Sequence, residues 1–311
     1  IPESFSAEKI PIIFAAGNEQ QFLFGYLAIR QPGATAKNII TVGAVNSDDY
    51  SMTDFSSWGP TTDRRIKPDI VAPGCEGSNK QNGTVTIPSE SIWSTLPNNN
   101  YGGLCGTSMA APVVSGSVAL LLEQWKEQYG STATPFPSTV KALLIDGATD
   151  LNRAGTGSTS PDGPDYKHGY GLINTTSSIN KIIFSSFTEH ELTAGSQSRD
   201  YNLVVPYGET EVKVTLVWDD EPLDTIPADP ANPALVNDLD LTLIDPNGNE
   251  YLPWVLPGTD PTTYGNPGIK GRDHRNNVEQ VELSTAFGDT ISSGIWKVRV
   301  NSTSCPKCPQ D

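Results

Sequence analysis

The sequence predicts two kinds of structure in series: an α/β half, with a parallel sheet flanked by helices, followed by an all-β sandwich or jelly roll. Three observations carry this. Short apolar runs alternate with helical spacing through the first part of the chain. Beyond about residue 180 the helical period gives way to alternating, period-two strands separated by turn residues. The 28 glycines and 25 prolines call for many short loops rather than long helices.

Taken in order, Ile10-Pro11-Ile12-Ile13-Phe14-Ala15-Ala16 reads as a buried parallel strand that stops at Gly17-Asn18. Ile39-Ile40-Thr41-Val42-Gly43-Ala44-Val45 is a second strand, and Asp69-Ile70-Val71-Ala72-Pro73-Gly74 a third. From Ser108 to about Tyr129 the apolar residues Val113, Leu120, Leu121 and Trp125 recur at helical spacing. Pro112 is assigned to the first turn, where no intrahelical donor is lost. A shorter helix spans Ser138 to Gly147, with Ser138 as its N-cap. The strands of the second half are 203–205, 211–218, 239–244, 278–283 and 294–300. The expected domains are 1–182 and 183–311.

Composition removes some functions. A net charge of −16 is the wrong sign for nucleic acid, whose phosphates need a basic surface. No apolar run reaches the roughly 18–20 residues of a membrane span. Cys75 and Cys105 flank a Gly/Asn/Ser-rich stretch, and a disulfide between them is preferred over two free thiols. Cys305 and Cys308 form a C-x-x-C without the strand–helix context of a redox motif or a second ligand pair for zinc. The chain opens Ile1-Pro2-Glu3-Ser4-Phe5, which reads as a fragment or processed chain.

The strongest chemical signal is Gly106-Thr107-Ser108-Met109-Ala110-Ala111-Pro112 ahead of the apolar helix. A serine on a first helical turn stands at the positive end of the helix dipole, where first-turn N–H groups lack partners. An oxyanion forming beside its Oγ is stabilised there. Gly106 lets a substrate backbone approach closely. Ala15-Ala16-Gly17-Asn18 supplies a second candidate, an uncharged amide donor at a strand end. These two blocks, with Phe55-Ser56-Ser57-Trp58-Gly59-Pro60, Lys67-Pro68-Asp69-Ile70-Val71-Ala72-Pro73-Gly74 and Gly169-Tyr170-Gly171-Leu172-Ile173-Asn174, resemble the subtilisin-like serine proteases, the subtilases, over essentially residues 8–180.

The resemblance implies a subtilisin-like sheet and a secreted endopeptidase. Ser108 would be its nucleophile and Asn18 its oxyanion donor. Ala15, Ala16, Gly17, Gly106 and Thr107 would meet peptide or protein substrates. The F-S-S-x-G-P and K-P-D blocks would be scaffold. The family also needs an Asp and a His upstream of the serine, and neither motif occurs here. His168, His190 and His274 all follow Ser108 and receive no catalytic role, with His168 expected on a surface loop. The missing pair implies an upstream segment of the same protease, cleaved but associated or absent from this chain. A non-catalytic binding or structural protein that kept the scaffold is the alternative. The second half resembles the C-terminal β-barrel domain of alkaline subtilases. Its Asp238, Asp240 and Asp273 suit calcium as a structural ion, and no cofactor is expected for the chemistry.

Overall fold

A computed structural model describes residues 10–23, 25–76, 91–151, 163–191, 198–225, 229–258 and 260–307. Three parallel strands form the first sheet: β1 (Ile13–Ala15), β2 (Ile40–Asn46) and β3 (Ile70–Cys75), in the order β1-β2-β3. Ile13 stands opposite Ile40, and Val42 opposite Ile70. Strand β2 is buried at every residue, as the central strand of a parallel sheet requires. A four-residue helix, α1 (Gln20–Leu23), follows the loop after β1. A hairpin, β4 (Ile92–Leu96) with β5 (Asn100–Leu104), leads into α2 (Thr107–Tyr129).

Helix α2 lays one face on the sheet through Ala110, Val114, Ser117, Val118, Leu121 and Trp125, spaced by three and four residues. Its first turn docks tightly because glycine stands at the end of β3. A methyl on Gly74 would lie 2.6 Å from the Ala44 methyl and 2.7 Å from the Gly106 carbonyl oxygen. Gly106 N donates to Gly74 O at 2.9 Å across this contact. Because α2 begins at Thr107, Pro112 falls in its second turn rather than the first, and the Ser108 carbonyl loses its usual N–H donor. Two more helices follow, α3 (Pro137–Gly147) and α4 (Thr175–Ile183). The sequence reading missed α4 because Thr-Thr-Ser-Ser is a weak helix former. Asn174 starts it, its side chain accepting from Ser177 N at 3.0 Å, and Ile182 anchors it fully buried.

The second half holds antiparallel sheets. One has the order β6-β13-β8-β9, from β6 (Ser198–Val205), β13 (Gly294–Ser304), β8 (Asp238–Ile244) and β9 (Glu250–Tyr251). The other pairs β7 (Glu211–Val217) with β12 (Val278–Ser284), and β10 (Trp254–Val255) pairs β11 (Ile269–Lys270). Val205, Val212, Leu241, Leu243, Val281, Leu283 and Trp296 form one core between the two larger sheets. The fold is thus α/β followed by β, as expected.

The two halves meet at the N-terminal ends of the parallel strands. Just ahead of β2, Lys37 Nζ pairs with Asp220 at 2.5 Å, and Asn38 exchanges two hydrogen bonds with the Asp220 backbone. Ile66 N donates to Asn276 Oδ1 at 2.7 Å, ahead of β3. Tyr26, Tyr166 and Tyr264 pack edge to face beside this contact, 5.6 to 6.4 Å apart. The opposite, C-terminal edge of the sheet carries the candidate site.

Candidate active site

Three segments meet at that edge: the loop leaving β1, the end of β3 and the start of α2. Cys75, the last residue of β3, is disulfide-bonded to Cys105 with Cα atoms 4.7 Å apart, so the preferred pairing is present. The bridge closes a 30-residue span and fastens the chain three residues ahead of Ser108. Cys305 is also disulfide-bonded, and Cys308 lies outside the described residues.

Ser108 is exposed on the first turn of α2, and no acidic side chain shares that turn. The other amides around it are occupied. Met109 N and Ala110 N donate to Gly106 O, and Thr107 N donates to Asn18 Oδ1 at 3.0 Å. No hydrogen bond within the described residues engages Ser108 N. That N–H remains at the positive end of a 23-residue helix, available to an incoming anion.

Asn18 is brought to the same place from β1. Its Oδ1 accepts from both Thr107 N and Thr107 Oγ1, the latter at 2.9 Å, while Thr107 Oγ1 accepts from Gly17 N at 3.1 Å. With the amide oxygen held from inside, Nδ2 faces Gly106. A methyl on Gly106 would stand 3.3 Å from Asn18 Nδ2 and 3.6 Å from Ser108 N. Two N–H donors from segments 90 residues apart therefore flank one point beside the Gly106 backbone, which only a residue without Cβ leaves open. Ala16 and Gly17 are buried behind Asn18, and Ala15 is half-buried. Thr107, expected to meet substrate, is only 1% exposed and directs its hydroxyl to Asn18 and Gly17.

No histidine stands near this point. His168 is 5% exposed, not a surface residue, because Asp165 holds it: Asp165 Oδ2 lies 3.0 Å from His168 Nδ1, and Asp165 Oδ1 accepts from His168 N. The arrangement copies an Asp–His pair, but Tyr170, two residues on, donates from N to Asp69 O at 2.9 Å, and Gly169 packs against the Asp69 backbone, just before β3. Ser108 lies past the other end of that strand, roughly 17 Å away by the rise of a β-strand. His274 bonds Asp238 at the start of β8, and His190 follows α4.

Among the described residues no group of three or more His, Cys, Asp and Glu is arranged to hold a metal ion. Asp238 is paired with His274. Asp240 faces Arg272 at 3.4 Å and accepts from Thr303 Oγ1. Asp273 accepts from Asn276 Nδ2 and from the Arg275 and Asn276 backbone. None of the described helices is long and apolar enough to cross a membrane.

Parallel sheet, tightly docked helix and helix-start serine define an α/β chain with a serine presented at the C-terminal edge of its sheet. The family model of the subtilases matches residues 4–171, more than half of the chain, and the chain belongs to the subtilase family. It is 29% identical over 193 residues to a PIII-type proteinase of Lactococcus lactis subsp. cremoris, covering 50% of this chain and 9% of that protein. It is 40% identical over 152 residues to a C5a peptidase of Streptococcus pyogenes serotype M3, covering 49% of this chain and 11% of that one. The chain thus spans about a tenth of the length of these curated relatives. Among solved structures it is similar to the protease domain of PatA (25% identity, TM-score 0.41, 58% of this chain and 51% of that one). It is also similar to the prenylagaramide maturation protease PagA (27% identity, TM-score 0.42, 57% and 52%).

Proposed function

We propose that this chain supplies the nucleophile and the oxyanion site of a secreted serine endopeptidase. The observation that carries the reading is the pair of donors, Asn18 Nδ2 and Ser108 N, which lie 3.3 and 3.6 Å from one point at Gly106 on the turn that carries Ser108. In this reading Ser108 Oγ attacks the scissile carbonyl carbon of a peptide as its proton passes to a base. The carbonyl oxygen becomes an oxyanion between the two donors. Collapse expels the amine, which takes the proton back from the base, and leaves an acyl-enzyme on Ser108. Water, deprotonated by the same base, then releases the acid.

The base is an imidazole oriented by a carboxylate, both delivered by a polypeptide segment outside this sequence. Two features support this. His168 and His274 are held by Asp165 and Asp238, and His190 lies beyond α4. Along α2, Val113 and Leu120 are exposed, and β1, an edge strand among the described residues, exposes Phe14, leaving apolar surface on this half for such a segment to cover. Secretion is supported by the Cys75–Cys105 disulfide, which persists in oxidising compartments. A fluorophosphonate probe on the protease assembled with its base-bearing segment should label Ser108, and Ser108→Ala should abolish the label. Labelling at another residue, or none in a preparation that cleaves peptides, would overturn the assignment. A correctly assembled protein that neither labels nor cleaves would favour the non-catalytic scaffold.

A further inference from the structure

Asn18 can serve as a donor only if its peptide is held still, and one residue brackets it, with its backbone on one side and its side chain on the other. Ser57 N donates to Gly17 O at 2.9 Å, on one side of Asn18. On the other side Ser57 Oγ accepts from Glu19 N at 3.0 Å. The same hydroxyl donates its proton to Glu19 Oε2 at 2.7 Å, which folds the Glu19 carboxylate back over the loop. Gln31 Nε2 holds the other carboxylate oxygen at 3.1 Å. Ser57 is fully buried, and its hydroxyl bonds Glu19 N and Glu19 Oε2, so it acts on Asn18 through the loop.

The bracket also explains the backbone between. Gly17 adopts φ +108°, and a methyl there would lie 2.1 Å from Glu19 Oε2 and 3.1 Å from Ser57 Oγ. The loop turns so sharply that only glycine fits beneath the folded carboxylate. One residue on, Gln20 N donates to Phe55 O at 3.2 Å, adding a second tie to the same segment. Thr107 fixes the Asn18 side chain and Ser57 fixes its backbone. Their ties differ: Thr107 reaches Asn18 Oδ1 and Gly17 N, whereas Ser57 reaches Gly17 O and Glu19 N, the two peptide units that flank Asn18 Cα.

Resting on the oxyanion reading above, we propose that Ser57 is a positioning residue for the Asn18 donor, so that the Phe55-Ser56-Ser57 segment belongs to the catalytic apparatus rather than to the scaffold alone. Ser57→Ala leaves Glu19 N without its acceptor and releases the carboxylate, which lets Asn18 Nδ2 drift from the oxyanion. A displacement of this kind lowers turnover without changing ground-state binding.

The test is a double-mutant cycle on the assembled protease with a peptide substrate. Asn18→Ala alone should lower kcat about 10²–10³-fold, a magnitude that is itself the measured example from this family. Ser57→Ala alone should lower kcat about tenfold, with KM changed less than about twofold. In the Asn18→Ala background Ser57→Ala should add nothing, since the donor it positions is gone. If Asn18→Ala leaves kcat intact, the oxyanion reading fails. If Asn18→Ala is costly but Ser57→Ala is neutral, raises KM instead, or multiplies with it, the positioning role fails and the reading survives. Should Ser57→Ala not fold, Glu19→Ala frees the carboxylate clamp from a half-buried side chain and is put through the same cycle. It is expected to show a smaller loss of kcat, again absent without Asn18, and a multiplicative loss would overturn the proposal.

Discussion

The two ends of the parallel sheet solve opposite problems. At the C-terminal edge, small or neutral groups meet: Gly17, Asn18, Gly74, Gly106, Thr107 and Ser108, with hydrogen bonds that leave two N–H donors facing outward. At the N-terminal edge, full charges are sealed in. Asp69 lies between Lys67 Nζ at 2.5 Å and Lys141 Nζ at 2.9 Å, with all three side chains about 2% exposed. Both ammonium groups also donate to Ile39 O, and Thr41 N donates to Asp69. Lys37 extends the network to Asp220 in the β half. The comparison teaches that binding capacity at one edge depends on polar groups left unmade, and anchoring at the other on charges left none. Stability and chemistry should therefore separate under mutation.

The largest expected effect is at the anchored edge. Asp69→Ala strands two buried ammonium groups and should lower unfolding free energy by about 3–5 kcal/mol in urea titrations. At temperatures where it stays folded, its kcat should be near that of the parent. A large loss of kcat in the folded variant would show that the edges are coupled.

Acid probes the same network. Burial pushes the Asp69 carboxyl up, but Lys141 and Lys67 outweigh it and hold it below the ordinary carboxylate range. Its folded pKa is thus depressed. The unfolded chain binds the proton more readily, and the stability Asp69 contributes is present at neutral pH and lost as pH falls below about 4. Urea midpoints measured from pH 6 to 3 should decline, and less steeply in Asp69→Asn. Equal slopes would remove Asp69 from the acid transition.

At the open edge, Thr107→Val keeps the shape but leaves Gly17 N and Asn18 Oδ1 each short of a partner. It should cost about 1–3 kcal/mol and lower kcat as well, because it frees the Asn18 amide. Stability loss with unchanged kcat would mean that Thr107 does not orient the donor. The smallest expected effect on stability is Ser108→Ala, within about 0.5 kcal/mol because the hydroxyl is exposed, with activity abolished. A clear destabilisation would show that Ser108 is a structural cap and weaken its assignment.

Much of this was legible in the residues. The parallel strands, the two longer helices and the five main β strands follow from period and turn residues, and the Cys75–Cys105 bridge was the preferred of two readings that the sequence left open. The meeting of Asn18 with the Ser108 turn was legible only through resemblance, since spacing alone says nothing across 90 residues. What stayed hidden depends on tertiary partners. Lys-Pro-Asp at 67–69 does not announce that Lys141 will arrive from a helix to complete a triad. Thr107 and Ser57 read as a substrate contact and as scaffold because a serine or threonine hydroxyl looks the same in sequence whether it faces solvent or a loop. His168 looked exposed because its burying partner, Asp165, is an ordinary loop residue until the turn folds back upon it.

The account's central claim is that one oxyanion binds between Asn18 Nδ2 and Ser108 N. It is tested most directly by a crystal structure of the assembled protease carrying a peptide boronate. The claim predicts a tetrahedral boron bonded to Ser108 Oγ, with one boronate oxygen about 2.7–3.1 Å from both Asn18 Nδ2 and Ser108 N. A boronate oxygen pointing to solvent, or held by other donors with Asn18 turned away, would contradict it.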